Sequence, residues 1–437
     1  MEKTHSCRSL MAAVFCALAF SSSVAADLTD ANAPRTLDEY LRCAALHNAG
    51  LKAAFEHWKA AVEDIRQAEA LPDPRFTYGY FIEEVETRVG PQRQRLGISQ
   101  VFPWFGKIEA RTDAATAAAR TARQQYEVKK LKLFFDVEDG FYEYVYLRSA
   151  IEIARENLEL VKHFEEVART RYVTAEAQHP DVVRAQIELA TLEDKLEALQ
   201  EMRLPVVARL NAVLNRPLDS ELPWPRRQEI ERLEVDRSQL FARLRRSNPE
   251  LRAKHFERES ARSRIDLAKK KFYPDFGVGV DWIQTDDASA AGVGDSGKDP
   301  VILMFSLNLP IWRKSYKAAE LQARAEARRA ASEQKDLENS LIARVEEVLY
   351  DYEDSGRKEE LFGKVLVPKA EELLGVSEAA YAAGTIDFLS LIDAERTLLR
   401  FRLQRERAWA NRQQKTAELE MLVGAELPRA VSTPKGD

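Results

Sequence analysis

The side chains that could bind a metal ion or a cofactor are few and widely spaced in this sequence. Beyond residue 26, no two histidines or methionines lie four positions apart, the spacing that puts two ligands on one helix face. They are His47, His57, His163, His179, His255, Met202, Met304 and Met421. The same region has one cysteine, Cys43, which alone forms neither a disulfide nor a zinc site. The pattern predicts no metal site and no cofactor.

Groupings typical of catalysis are also lacking. The sequence contains no phosphate-binding loop and no Ser/His/Asp elbow, so it predicts no catalytic residue and disfavours an exported enzyme. Its 437 residues carry a net charge of −6 with both signs interspersed and no basic tail, which predicts no nucleic-acid partner.

The N-terminus has the three parts of a secretory signal peptide, predicted over residues 1–26. Lys3 and Arg8 supply positive charge, residues 10–20 form a short apolar run, and small residues follow near Ala25. The run is shorter than the roughly 20 residues that span a bilayer as a helix. The mature chain is therefore predicted to be periplasmic, extracellular or in an outer membrane.

The remainder of the chain is an internal duplication. Asn48 and Pro74 match residues 200 positions later, and the offset grows to 207 at Pro103 and to 209 at Tyr172. A longer hairpin loop in the second copy accounts for the step to 207, and further drift of one or two residues is typical of small insertions, which we expect in loops. We predict a first repeat over 27–235, a second over 236–425 and a tail over 426–437.

Each repeat follows one plan: helix, β-hairpin, long helix and return helix. Apolar residues recur every three or four positions in the helical segments and every second position in the hairpins. A capping box, Thr36 to Glu39, begins the first helix. The first repeat is predicted to contain helices 36–71, 104–177 and 181–214 and a membrane hairpin 75–103. The second is predicted to contain helices 236–271, 312–383 and 387–423 and a membrane hairpin 275–310.

The helix lengths predict a rod rather than a globular domain. A helix of about 70 residues spans roughly 105 Å, and the two shorter helices of a repeat, end to end, match that length. A soluble periplasmic or secreted coiled-coil structural protein is the alternative. The hairpins argue against it, because one face is apolar and the other is small or polar over eight to ten residues, as in outer-membrane strands.

Four strands cannot close a barrel, and an open edge in lipid leaves backbone groups without partners. Two copies would supply eight strands and a filled interior, whereas three would supply twelve strands and room for a duct. Each predicted change between strand and helix falls at a proline, whose missing N–H does no harm at such a position. These junction residues are Pro74, Pro103, Pro274 and Pro310.

The mature chain resembles the TolC-type outer membrane efflux family. The most specific segments are "SQVFPWFGK" (Ser99–Lys107) and "YAAGTIDFLSLIDAERTLL" (Tyr381–Leu399). The resemblance implies a mainly α fold with a small β share: a homotrimer with a 12-stranded barrel in outer-membrane lipid and an α-helical barrel across the periplasm. Residues 215–235 and the tail would form the equatorial region.

The resemblance also implies a function and partners. Such ducts are passive and work with a periplasmic adaptor (membrane fusion protein) and an inner-membrane RND-type transporter. The "PWFGK" form is similar to the heavy-metal (Cus/Czc-type) branch, so metal cations are one cargo hypothesis and drugs another. The sequence specifies neither the cargo nor the cognate pump.

Site residues are expected at the periplasmic tips of the helical hairpins. Asp393 matches the aspartate of the family's Leu-Asp-Ala segment and is the first gate candidate, since threefold symmetry turns one inward aspartate into a charged ring. Asp387 and Asp181 are further gate candidates. The expected docking tip for adaptor and pump is Gly384, Thr385 and Tyr381. Alternatively, the aspartates are helix N-caps or lie on solvated faces.

Overall fold

The structure is a computed structural model that describes residues 33–228, 232–234 and 236–429. The predicted signal peptide, 1–26, and most of the predicted tail, 426–437, lie outside these residues.

Helices dominate both repeats, and each repeat contributes two strands. The first repeat contains α1 (Leu37–His47), α2 (Ala49–Glu69), β1 (Arg75–Thr87), β2 (Gly90–Phe102), α3 (Lys107–Val173), α4 (His179–Glu201) and α5 (Arg203–Leu214). The second contains α6 (Arg237–Ser247), α7 (Pro249–Lys270), β3 (Phe276–Thr285), β4 (Val301–Leu307), α8 (Arg313–Leu361), a π-helical segment (Phe362–Leu366), α9 (Val367–Ala382) and α10 (Phe388–Val423). None of the described helices combines the length and apolar character that crossing a bilayer requires.

The first helix of each repeat is broken at an asparagine, where one continuous helix was predicted. Asn48 caps α2 by accepting from Leu51 N–H at 2.9 Å, and Asn248 caps α7 by accepting from Leu251 N–H at 2.8 Å. Each amide also donates to a carbonyl near the end of a return helix, Asn48 to Val213 and Asn248 to Leu422. A side chain that binds the backbone locally competes with the helix, so both breaks arise from the same residue type.

Two other predicted helices are interrupted near a proline. The return helix of the first repeat stops at Glu201 and restarts at Arg203, because Pro205 has no N–H for the Glu201 carbonyl. The predicted helix 312–383 contains the π-helical segment just before Pro368, where Val367 N–H reaches back to the Phe362 carbonyl.

The π-helical segment also explains part of the drift between the repeats. The offset is 208 at Tyr144 and Tyr352 but 209 at Tyr172 and Tyr381. No loop lies between these pairs, since both lie within the long helices. The extra residue is therefore accommodated inside a helix as a wider turn and not in a loop, which corrects the expectation of a loop insertion for this one-residue step.

The helices form one layer in which the two repeats alternate. On the sheet side of the asparagine breaks, the order is α2, α3, α7 and α8; toward the tips it is α4, α3, α10 and then α9. Three apolar clusters hold this layer together: the first joins α3, α4, α9 and α10; the second joins α1, α2, α3, α5 and α10; and the third joins α6, α7, α8 and α10. The long helix α3 therefore lies inside the layer, whereas α8 and α9 lie at its border.

The chain between the repeats packs against the middle of the helical layer. Tyr144 and Arg203 both donate to the Leu222 carbonyl, at 2.8 and 3.0 Å. Leu233 pairs with Arg429 in an isolated antiparallel bridge.

The capping box at the start of α1 is confirmed: Glu39 N–H donates to Thr36 Oγ1 at 3.4 Å, and Thr36 N–H donates to the Glu39 carboxylate at 3.1 Å.

The four strands make one antiparallel sheet in the order β1-β2-β3-β4. The register aligns Phe76, Ile98, Val280 and Leu303 across it in one row. The predicted apolar face is confirmed, because these four side chains are all exposed in the single chain. Among the described residues no further strand covers the outer edges of β1 and β4.

Candidate functional site

The second tip, which joins α9 to α10, is a tight turn centred on Gly384. Gly384 N–H donates to the Tyr381 carbonyl at 3.0 Å, and Thr385 N–H donates to the Ala380 carbonyl at 2.9 Å. These two bonds make a Schellman motif, which ends a helix with one residue in the left-handed region. Gly384 has a φ of 73°, and an added Cβ would lie 3.1 Å from Arg171 Nη2. Glycine therefore fits this turn without strain.

The first tip, which joins α3 to α4, has the same turn without glycine. Ala175 N–H donates to the Tyr172 carbonyl at 3.0 Å, and Glu176 N–H donates to the Arg171 carbonyl at 2.7 Å. Ala175 takes a φ of 62°, in the left-handed region that residues other than glycine, asparagine and aspartate rarely adopt. The backbone motif is thus shared by both tips, although the sequence signature is present in only one.

An arginine at the end of α3 joins the two tips. Arg171 donates to the Tyr381 carbonyl, and its guanidinium lies 4.8 Å from the centre of the Tyr381 ring. The ring itself is only 4% exposed and packs edge-to-face on Phe388 at 5.4 Å. Burial raises the pKa of Tyr381. Of the three predicted docking residues, only Gly384 and Thr385 present an exposed surface.

The three aspartates predicted as gate residues occupy different environments. Asp387 caps α10: its carboxylate accepts from the Ser390 hydroxyl at 2.7 Å and from Ser390 N–H at 2.9 Å, and both bonds lower the pKa of Asp387. Asp181 is half-buried and pairs with Arg184 at 3.3 Å. Asp393 is exposed on α10, and no ion pair within 4.0 Å involves it among the described residues.

A buried polar layer crosses the bundle next to Asp393. Glu395 is fully buried on α10 and accepts from the Asn157 side chain of α3, while its second oxygen has no partner among the described residues. Beside it, Arg396 donates to Glu188 of α4 at 2.9 Å. Burial raises the pKa of Glu395 to about 7; the Asn157 hydrogen bond and the Arg396 charge oppose the rise, and Glu188 adds to it.

Sequence reasoning missed both Arg171 and Glu395, for different reasons. Glu395 had a detectable signal, because it falls between Leu391 and Leu398 on the apolar stripe of α10, where a charged residue is unusual. Arg171 had none, since its partner lies 210 residues away in the chain.

The strand-to-helix junctions of the two repeats are bonded to each other. Asp275 accepts from Trp104 N–H and from Lys107 Nζ, both at 2.7 Å. The Trp104 ring stacks on Tyr273 with ring centres 5.5 Å apart and planes 10° apart. The sheet and helices are thereby held in one register. The chain changes from helix to strand, or from strand to helix, at each of the four predicted prolines: Pro74, Pro103, Pro274 and Pro310.

The described residues contain no group of three His, Cys, Asp or Glu side chains placed to hold a metal ion. Cys43 Sγ and His47 Nδ1 approach each other to 3.8 Å on α1, but two ligands do not complete a site.

Comparison with known proteins matches both repeats to one family model, described as "Outer membrane efflux protein", over residues 41–216 and 240–425. Two curated relatives are similar over most of their length. Nodulation protein T of Rhizobium leguminosarum bv. trifolii is 22% identical over 83% of this chain and 79% of its own. The cobalt-zinc-cadmium resistance protein CzcC of Cupriavidus metallidurans is 21% identical over 86% of each chain.

Among solved structures, the outer membrane protein VceC of Vibrio cholerae superposes with a TM-score of 0.74 at 18% identity. The match covers 90% of this chain and 97% of VceC. At this level of identity the likeness concerns the fold alone.

Proposed function

This chain belongs to the outer membrane efflux protein family, and from that membership we propose that three copies of it form one passive duct through the outer membrane. The observation that carries the proposal is the four-stranded sheet, which has an exposed apolar face and, among the described residues, two edges without a partner strand. A bilayer tolerates such a sheet only when every edge is paired.

Threefold assembly satisfies both edges with the strands already present. Pairing β4 of one copy with β1 of the next gives twelve strands, and a barrel of that size is wide enough to leave an opening. Two copies would give an eight-stranded barrel, and side chains would fill the interior of a barrel of that size. The helical layer continues the wall, because α2 and α8 lie at opposite borders on the sheet side.

For the periplasmic end, Asp393 is the gate residue that the geometry supports best. It is exposed on α10, so its carboxylate is accessible to a lumen. Asp387 is engaged as an N-cap and Asp181 pairs with Arg184, so both are weaker gate candidates. Replacing Asp393 with Ala is expected to raise single-channel conductance in planar bilayers; unchanged conductance would remove it from the gate.

The partners proposed for this duct are a periplasmic adaptor and an inner-membrane RND-type transporter, with Gly384 and Thr385 at the docking tip. A bulky residue at Gly384 should abolish efflux while trimers persist. Among cargo classes we rank heavy-metal cations first, because a relative similar over 86% of its length is named for cobalt, zinc and cadmium resistance. A deletion strain tested on cobalt, zinc, cadmium, copper, silver and a drug panel discriminates the classes.

The trimeric duct itself is tested on the purified full chain. Outer membranes extracted in detergent should yield a trimer by native mass spectrometry, and reconstitution should give discrete conductance steps. A water-soluble monomer without affinity for bilayers would contradict the proposal and favour a coiled-coil structural protein.

A further inference from the structure

An ion pair lies on the small-residue face of the sheet, opposite the exposed apolar face. Arg95 of β2 donates through Nη2 to the Asp281 carboxylate of β3, and the same nitrogen lies 3.6 Å from Met304 Sδ of β4. Asp281 is only 2% exposed, whereas the Arg95 side chain is 43% exposed. The Arg95 guanidinium is therefore exposed on the small-residue face, and the Asp281 carboxylate is covered.

Two glycines lie beside the pair, and one of them makes room for it. Gly97 pairs with Asp281 across the β2–β3 ladder, and a Cβ at Gly97 would overlap the Asp281 carboxylate. Gly79 pairs with Arg95 across the β1–β2 ladder, and its added Cβ would lie 4.0 Å from Arg95 Cβ. A side chain at Gly97 would therefore displace the Asp281 carboxylate, whereas one at Gly79 would make only ordinary van der Waals contact with Arg95.

Few other charged side chains lie on this face of the sheet. In the regularly paired parts of the four strands it carries Arg75, Arg95 and Asp281, and its other members are uncharged. Arg75 lies four residues from Gly79, or about 13 Å nearer the helical end. Because Asp281 is covered, the exposed charge on this regularly paired part of the face is positive. In the irregular stretch next to it, Arg93 pairs with Glu84 and Asp286.

We propose that Arg95 is an ion-selectivity residue of the duct, forming with its symmetry copies a positive ring inside the outer-membrane section. This inference rests on the proposed trimeric duct, in which the apolar face contacts lipid and the small-residue face lines the opening. Three guanidiniums around one axis in a low-dielectric wall raise the local potential, which disfavours cations and favours anions. Selectivity would then be set at two levels, by carboxylates at the tips and by arginines in the sheet. The arginine level opposes the passage of free cations, so heavy-metal cations, the cargo ranked first above, would cross it against its preference.

The test is the reversal potential of reconstituted channels under a KCl gradient. Arg95→Gln should raise the cation-to-anion permeability ratio by at least about twofold. Asp281→Asn should shift the ratio in the opposite direction, because it leaves the arginine uncompensated. Arg95→Lys keeps the charge and should retain the wild-type ratio.

Arg88→Gln is the matched control, since it removes the same charge from the exposed turn between β1 and β2, away from the paired face. Equal ratios for wild type, Arg95→Gln and Asp281→Asn would overturn the inference while leaving the duct intact. The same holds if Arg88→Gln shifts the ratio as much as Arg95→Gln does. Absence of channels from the wild-type protein would instead overturn the trimeric duct.

Discussion

The two repeats share one plan, yet matched positions have different surroundings. Tyr142 and Tyr350 are equivalent at an offset of 208, but Tyr142 is 3% exposed and Tyr350 is 60% exposed. Gln186 and Glu395 are equivalent at an offset of 209, and here the second repeat holds the buried residue. Duplication has therefore kept the backbone plan while position in the layer decides which side chains are covered.

The difference follows from the order of the helices. The long helix of the first repeat, α3, lies between α2 and α7 on the sheet side and between α4 and α10 toward the tips. The corresponding α8 and α9 lie at the border, and the helical stretch that they form carries exposed apolar residues such as Val365 and Val376. A border helix with apolar exposure is typical of a surface that another chain covers.

The largest expected effect is on the free energy of unfolding, and it distinguishes Tyr142 from Tyr350. Tyr142 packs edge-to-face on Phe141 at 5.5 Å and on Trp409 at 6.0 Å, so Tyr142→Ala should lower the free energy of unfolding by about 3–5 kcal/mol. Tyr350→Ala should change it by less than about 0.5 kcal/mol in the dissociated chain. Thermal unfolding followed by circular dichroism in detergent measures both. Equal losses would mean that the asymmetry between the repeats does not exist in solution.

The next effect concerns pH and the buried Glu395. Its folded pKa of about 7 lies above the ordinary value of 4.5. The folded chain therefore holds a proton that the unfolded chain releases, and the stability that this group contributes is greatest below about pH 4.5 and falls as the pH rises to 7. The loss attributable to this group is about 3 kcal/mol.

Glu395→Gln gives the second repeat the residue that its counterpart has and should remove this part of the pH dependence. Denaturation midpoints between pH 4.5 and 8 check the change. Glu197→Gln is the matched control, because it makes the same substitution at an exposed position of α4 and should leave the slope as it is in the wild type. An unaltered slope in Glu395→Gln would assign the pH dependence to other groups.

The smallest effect compares the two tip turns. Ala175→Gly should stabilise the chain by about 0.5 kcal/mol, because relief of the left-handed alanine exceeds the added backbone entropy of glycine. Gly384→Ala should destabilise it by about 1 kcal/mol, since it adds the same strain and a contact with Arg171. Opposite shifts in melting temperature are expected; shifts of one sign would show that the turns are not equivalent.

Much of this architecture could be predicted from local pattern. The alternation from Phe76 to Ile82 and from Phe276 to Trp282 identified the hairpins, because a period of two is specific to strands. The capping residues Thr36 and Glu39 were recognisable for a similar reason: their chemistry acts within one turn.

Features that depend on distant partners could not be predicted. The bond from Arg171 to the Tyr381 carbonyl and the pair of Arg95 with Asp281 join residues that only the fold brings together. The left-handed Ala175 was also hidden, since alanine ordinarily signals an uninterrupted helix. Interactions between neighbours in the sequence can be predicted from the sequence, whereas these contacts arise only when distant parts of the chain pack together.

The widened turn at Phe362–Leu366 bears on how the two halves of this protein diverged. A residue added to an ordinary α-helix rotates the rest of the helix by about 100° about its axis. Such a rotation would turn the face of α9 that packs on α10 away from it. Here the surplus residue is confined to a single turn, so the side chains on either side keep their azimuth. The molecule has thereby tolerated a one-residue difference in length within a long helix without losing the alignment of its far end.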